Sequence, residues 1–481
     1  MDRLSTLDAE FLHLEDGITH MHIAGVSVFE GPAPDVDEVI ALLASKLEHI
    51  PRYRQRVRTV PLELGRPVWV DDPHFNLAYH VRHTALPAPG DDRALRRLMG
   101  RLMSQPLDRH RPLWEAWVVE GLDDGRWAII SKVHHCMVDG ISGVDLLSAL
   151  LDLTPDAELA VPAPWDPDPD PSPIEMVLDA WRGLAGDVGR IAGRALDAVR
   201  DPRRTIDDVR DLGAGLIEFG RHLGSTPPLS IEGPIGPHRS WAHASVDLGD
   251  IKAARRAFGG TVNDVVLSAL AGAYRALLEH RGDDLDGAVV RTLVPVSVRG
   301  EARDTPDNRV SALLYELPID ERDPITRLAR VHEEMEALKS SHMAEAGEVV
   351  TGLGEVAPPM LVGAGTRATI RLMRRLPQRS INTVTTNVPG PQLPLYCLGR
   401  EMVAYLPFVP LSEGVRVGTA ILSYNGQVAF GVTGDYDTAP DVDVLTKAVV
   451  DEIASLASAA RAVSTDDEPV AERDADATAA R

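Results

Sequence analysis

The chain has 481 residues, 44% of them hydrophobic and 25% charged, and a formal net charge of -23. Such a length calls for two or three domains of ordinary globular composition. The acidic balance argues against nucleic acid and against non-specific adhesion to anionic membrane, and so points to small-molecule partners.

Cys136 and Cys397 lie far apart and give neither a disulfide framework nor a metal-ligand spacing, which favours a reducing compartment. The N-terminus M-D-R-L-S-T-L-D-A-E-F-L lacks a signal peptide's apolar core. No window holds the ~20 apolar residues of a spanning helix, and the expectation is a cytoplasmic protein without transmembrane anchors.

In chain order, Ser5 to Asp8 ahead of Phe11 and Leu12 reads as a capped helix start, followed by the strand-like H-I-A-G-V-S-V-F-E. Val36, Val39, Leu42, Leu43 and Leu47 have helical spacing over Asp35 to Ile50, ended by Pro51. Arg52, Arg54, Arg56 and Arg58 stand two apart, as on one strand face that meets solvent or phosphate. Leu95 to Met103 reads as a helix. The strand from Pro112 is positioned to hairpin with Trp127–Val133 through Leu122 to Arg126, and Ile141 to Leu153 reads as an apolar helix.

Between Thr154 and Pro173 the run V-P-A-P-W-D-P-D-P-D-P-S-P removes donors and fixes φ, the strongest boundary in the chain. A long helix follows, with Val177, Trp181, Leu184, Val188, Ile191 and Ala195 forming the stripe expected to pack, a lipid surface being the alternative. Pro227 to Pro237 is a second loop run. Strands and helices then alternate: strands at Trp241, at V-V-R-T-L-V-P-V-S-V-R, and at Asn382–Val388, Glu401–Phe408, Val415–Tyr424 and Gln427–Tyr436, with helices over Asp250–Phe258 and Val262–Leu278. The division expected is a first domain over 1–153, a linker with crossover helices over 154–237, a second domain over 238–463, and an acidic disordered tail over 464–481.

The chemistry concentrates at W-A-I-I-S-K-V-H-H-C-M-V-D-G, 127 to 140. An apolar strand runs into His134 and His135, which a period of two sends to opposite faces, and Asp139-Gly140 suits a turn. A histidine at a strand end is the natural general base near neutral pH. The spacing lacks the i, i+4 histidine pair of a zinc helix, so no metal is expected. G-I-S-G around Ser142 is not a nucleophile elbow, and Ser142 suits a helix cap. Cys136 reads as a small core residue. No Walker loop or G-x-G-x-x-G follows a strand, which leaves nucleotide hydrolysis and hydride transfer unsupported.

Several ordered motifs resemble one family: L-S-T-L-D-A-E-F-L with M-H-I-A-G-V, R-P-L-W-E at 111–115, H-H-C-M-V-D-G at 134–140 and G-P-I-G-P-H-R at 233–239. T-V-N-D-V at 261–265, V-P-V-S-V-R at 294–299, D-N-R-V-S at 307–311 and T-N-V-P-G-P at 386–391 continue the series. Together they resemble the bacterial wax ester synthase and acyl-CoA:diacylglycerol acyltransferase enzymes, especially the actinobacterial triacylglycerol synthases. The resemblance implies a mixed α/β, two-domain CoA-dependent acyltransferase fold, similar to chloramphenicol acetyltransferase, with the active site in a tunnel between domains. It implies an acyl-CoA-dependent O-acyltransferase making triacylglycerol from diacylglycerol, with His135 as general base and no acyl-enzyme.

In that reading His134 is the opposite-face partner, and Asp139 orients the loop through an arginine such as Arg299. Asn263 is the candidate contact for the oxyanion, or else an N-cap or Asx-turn residue, and Asp264 supports the helix start. Pro112, Leu113 and Trp114 are read as packing. Arg367, Arg371, Arg374 and Arg375 form a helix face for membrane, lipid droplet, CoA phosphates or solvent. No cofactor is implied; acyl-CoA is a co-substrate, and the acceptor is diacylglycerol or a long-chain alcohol. The competing classes are a condensation-type enzyme using the same motif and a non-catalytic lipid-binding protein.

Overall fold

Residues 1–137, 151–157, 160–162, 164–182, 227–297, 310–340 and 381–466 are described by a computed structural model. Helix α1 (Thr6–Leu14) begins as the sequence indicates, with the Ser5 side chain accepting the Asp8 amide at 3.1 Å. Helix α2 (Val36–Lys46) carries a full capping box between Asp35 and Glu38 and buries Val39, Leu42 and Leu43 at the predicted spacing.

The first six-stranded sheet has the order β12 (Tyr396–Cys397), β13 (Arg400–Phe408), β2 (His22–Phe29), β7 (Trp127–His134), β6 (Trp114–Glu120) and β5 (Val81–Ala85). Its centre is β2 (His22–Phe29) antiparallel to β7 (Trp127–His134), with His22 opposite His134. Strand β6 (Trp114–Glu120) forms the expected hairpin with β7, and β5 (Val81–Ala85) runs parallel to β6. Helix α3 (Leu77–His80) leads into β5, and α4 (Asp92–Met103) packs Leu95, Met99, Leu102 and Met103 onto the sheet. A three-stranded sheet, β1 (Asp2–Arg3), β4 (Val68–Asp71) and β3 (Gln55–Arg58), lies beside it.

The second sheet has the order β10-β9-β11-β14-β15-β8. Its strands are β8 (Arg239–Asp247), β9 (Val290–Ser297), β10 (Val310–Leu317), β11 (Thr383–Pro389), β14 (Val417–Tyr424) and β15 (Gln427–Asp435). Helices α6 (Leu248–Phe258), α7 (Val262–Arg281), α8 (Pro324–Ser340) and α9 (Val442–Asp466) supply the other layer of this core. The Tyr274 hydroxyl in α7 lies 2.6 Å from Thr383 Oγ1 and 3.2 Å from Thr419 Oγ1, pairing the polar atoms that the helix buries against β11 and β14.

The two sheets are interlocked. Strands β12 (Tyr396–Cys397) and β13 (Arg400–Phe408) lie far along the chain yet complete the first sheet, β13 pairing antiparallel with β2. Trp241 Nε1 in β8 donates to the Pro407 carbonyl at 3.1 Å, and a Cβ on Gly431 would sit 1.7 Å from that same oxygen. Only glycine permits so close a crossing of β13 over β15. The Arg239 amide donates to Ser104 Oγ at 2.9 Å, and His243 Nε2 stands 2.5 Å from Asp92 Oδ1, tying α4 to β8.

Several expectations are corrected. The four arginines do not share a strand face: Arg52 and Arg54 lie in a short 3-10 turn, Pro51–Arg54, and only Arg56 and Arg58 lie on β3. Arg52 sits over the Trp69 ring and pairs with Asp2, Arg54 faces Trp165, and Asp170 takes both Arg56 and Arg58. The face is therefore spent inside the molecule. The helix after the Pro-rich run, α5, is described over 173–182, and its register is one residue off the expected stripe. Met176 and Ala180 are buried against Val60, Val68 and Val70, whereas Trp181 is 59% exposed.

Leu151 to Leu153 are not helical; Asp152 bridges to Tyr396 instead. The helix expected from Ile141 otherwise lies outside the described residues, as do Leu184, Val188, Ile191 and Ala195 of the expected stripe and the arginine face at Arg367 to Arg375. Helix α9 continues to Asp466, three residues into the segment assigned to the tail, and 467–481 lie outside the described residues. Strand β10 and helices α8 and α9 were not among the expected elements.

Candidate active site

Strand β7 carries the fully buried Trp127, Ala128 and Ile130 into the centre of the first sheet and ends at His134. The next residues, His135–Met137, form a single 3-10 turn. The His134 amide donates to Leu113 O at 2.9 Å, and the His135 amide donates to Met21 O at 2.8 Å. Consecutive amides are thus satisfied by segments on opposite sides of β7. The two rings separate because the strand gives way to a turn between them, a sharper break than strand alternation alone.

His134 is fully buried, and its Nδ1 accepts the Cys136 amide at 3.1 Å. A nitrogen that accepts carries no proton, so the ring proton is on Nε2. That atom stands 3.6 Å from Glu15 Oε2. Glu15 is the C-cap residue of α1, and its Oε2 accepts Arg109 Nε at 2.9 Å and Nη2 at 2.6 Å. Burial works to raise the Glu15 pKa, but His134 and Arg109 overcome it and hold the carboxyl at about 2.

The His135 ring stacks on Phe11, with centroids 4.0 Å apart and planes 29° from parallel. Burial pushes its pKa down to about 4 against the opposing pull of its own backbone, so the imidazole is neutral at pH 7 and keeps one ring lone pair unprotonated. His135 Nδ1 is buried without a hydrogen-bond partner. Cys136 is buried, and burial pushes its thiol well above the ordinary value, which keeps it a core residue and not a nucleophile.

Behind this turn, His22 Nε2 lies 3.2 Å from Met103 O, and the buried Lys132 ammonium donates to Leu102 O at 3.0 Å and to Gln105 O. These contacts satisfy carbonyls at the C-terminal end of α4. Trp114 is buried, its Nε1 donating to Tyr53 O at 2.8 Å, so the P-L-W segment packs.

Asn263 lies in the other half. The cap of α7 is Thr261, which forms a capping box with Asp264, so Asn263 is not the N-cap residue. Its Oδ1 accepts Asn387 Nδ2 at 3.0 Å, which turns the Asn263 amide nitrogen away from Asn387. Asp264 supports the helix start and also meets His332 Nδ1 at 3.0 Å. Among the described residues no hydrogen bond joins Asn263 to the His134–His135 turn. Asp139, Gly140, Ser142 and Arg299 lie outside the described residues. No group of three or more metal-ligating side chains occurs among the described residues.

Residues 4–266 match the family model described as wax ester synthase/diacylglycerol acyltransferase catalytic domain, and 307–457 match the corresponding C-terminal domain. The chain belongs to this family. A probable diacylglycerol O-acyltransferase of Mycobacterium tuberculosis is 37% identical to it over 95% of this chain and 96% of its own. The wax ester synthase/diacylglycerol acyltransferase of Marinobacter aquaeolei VT8 superposes with a TM-score of 0.66 at 28% identity, covering 95% of this chain and all of that one. The first condensation domain of the CDA synthetase, at 19% identity and a TM-score of 0.58 over 95% of this chain and 96% of its own, shares the fold.

The family's two-domain acyltransferase fold is thus the one observed, with β13 as the strand that crosses between sheets. Four residues around the candidate site were not singled out in the sequence: Phe11, Glu15, Arg109 and Asn387. Phe11 and Glu15 had a signal, since a spacing of four places them on one face of the helix that Ser5 starts. Asn387 had one as well, since it lies in the T-N-V-P-G-P motif at 386–391, whereas Arg109 had none, because its partner Glu15 is distant in sequence.

Proposed function

We propose that the protein is an acyl-CoA-dependent diacylglycerol O-acyltransferase in which His135 is the general base. One observation carries this reading: the family's second motif histidine sits just beyond the end of β7 and is held neutral by burial. With Nδ1 buried, Nε2 is the proton acceptor. The acceptor hydroxyl oxygen attacks the thioester carbonyl carbon while its proton passes to His135 Nε2. Collapse of the tetrahedral intermediate breaks the C–S bond, and the thiolate of CoA takes that proton, leaving ester and free CoA. No acyl-enzyme forms and no metal or cofactor takes part.

Asn263 is assigned to the oxyanion, its amide oriented by Asn387. Asp139 is assigned to shaping the loop, not to relaying charge, and His134 to the buried side of the turn. A long-chain alcohol as acceptor is the second reading, suggested by the Marinobacter enzyme, whose name carries both activities. No helix among the described residues is long and apolar enough to cross a membrane. Access to lipid substrate is assigned to peripheral contact with membrane or lipid droplet, which the apolar substrates call for.

His135→Ala is expected to lower CoA release from palmitoyl-CoA and diacylglycerol at least ~10²-fold in purified protein. Full turnover by that variant contradicts the mechanism.

A further inference from the structure

Helix α1 grips the histidine pair at two points one turn apart. Phe11 lies against the His135 ring, and Glu15 faces Nε2 of His134. Both the Glu15 carboxylate and His134 are almost wholly shielded from water, with side-chain exposures of 6% and 0%. Arg109 anchors the carboxylate and also donates to Leu12 O at 2.9 Å, which fixes it against the last turn of α1.

His134 Nε2 and Glu15 Oε1 are both buried without a hydrogen-bond partner. The 3.6 Å approach of Nε2 to Oε2 is too long for a good hydrogen bond, but in so dry a place the charge of the carboxylate still orients the N–H dipole. With the proton on Nε2, the lone pair of Nδ1 is committed to the Cys136 amide, and that amide belongs to the 3-10 turn bearing His135. The contacts run in series from Arg109 to Glu15, to His134, to the Cys136 amide and so to the turn that presents the base.

We propose that Glu15 is a positioning residue for the acyl transfer, its charge fixing the tautomer of His134 and thereby the turn that aims His135. This rests on the assignment of His135 as base. It gives His134 a task as well: the first histidine of the motif braces the second. Arg109 supports Glu15 from the solvent side, where its own side chain is 48% exposed.

The test uses the full-length enzyme and measures CoA release from palmitoyl-CoA with diacylglycerol. Glu15→Gln keeps the shape and removes the charge, and kcat is expected to fall ten- to a hundredfold while KM for palmitoyl-CoA stays within about twofold. His134→Gln is expected to fall by a similar factor, and the double variant no further, because the two residues act through one contact series. If Glu15→Gln does not fold, Arg109→Gln is read by the same criteria, since a half-exposed side chain is the safer one to change.

Wild-type kcat in Glu15→Gln, or losses that multiply in the double variant, overturn the proposal. A rise in KM with unchanged kcat also overturns it, since the residue would then serve substrate binding. The failure of the base assignment is separate: it shows as turnover in His135→Ala, whatever Glu15→Gln does.

Discussion

At the scale of single residues, the environment of His135 makes a pH prediction. An unfolded imidazole titrates near 6.5, whereas burial holds this one at about 4 in the folded protein. Between those values the unfolded chain binds more protons, so stability is full above pH 6.5 and falls as pH drops toward 4. His135 alone contributes roughly 3 kcal/mol to that loss. His20, His22 and His80 are also lowered by burial and act in the same direction. The melting temperature is expected to fall markedly from pH 7.5 to pH 5, and to fall less in His135→Ala; equal falls contradict the burial argument. By the same reasoning the acid limb of kcat/KM is expected below pH 6, and a limb at 6.5 or higher shows a solvated base.

The residue scale also shows where reading the sequence ran out. The place of His135 just past the strand, the buried Cys136 and the packing of Trp114 were legible because strand pattern and burial agree. Glu15 offered only its spacing from Phe11: a glutamate at the end of an amphipathic helix ordinarily faces water, and only the fold places Arg109 and His134 beside it. For Asn263 the sequence leaves two readings open, oxyanion contact or N-cap, since Thr261 and Asn263 both suit a cap. The reciprocal bonds between Thr261 and Asp264 decide in favour of Thr261.

At the scale of elements, that capping box makes its own prediction. Thr261→Ala removes the acceptor of the Asp264 amide and is expected to cost about 1 kcal/mol. It also frees the α7 start that holds Asn263 against Asn387, so a urea midpoint and kcat should both fall; an unchanged midpoint contradicts the capping account. Helices with caps and regular stripes were readable, α2 and α4 among them. The helix at 173–182 shows the limit of periodicity. Its sequence offers an apolar choice on adjacent faces, and the small Ala180 beside Met176 fits the surface of Val60, Val68 and Val70 where Trp181 does not. The arginine strand failed because Pro51 begins a 3-10 turn that interrupts the alternation.

At the scale of the whole molecule, the first sheet cannot be completed by the first half of the chain. Strand β13 covers the edge of β2 opposite β7, and Gly431 allows it to cross β15 closely. Gly431→Ala is expected to cost on the order of 3 kcal/mol by forcing these backbones apart, read as a lower denaturation midpoint. A chain ending at residue 266 should expose the edge of β2 and aggregate; a stable, soluble fragment contradicts the interlock. The alternation of helices and strands announced a mixed α/β fold, and the Pro-rich run announced a break. The exchange of β13 was invisible because strand partners as far apart as Phe408 and Ala24 leave no local mark.

The central claim is that His135 activates a lipid hydroxyl toward acyl-CoA. Its most direct test is free CoA release from palmitoyl-CoA by purified protein, with diacylglycerol, with a long-chain alcohol, or with neither, in wild type and His135→Ala. The prediction is acceptor-dependent release, faster with diacylglycerol, that is lost in the variant together with triacylglycerol. Release that ignores the acceptor, or that survives in His135→Ala, contradicts it.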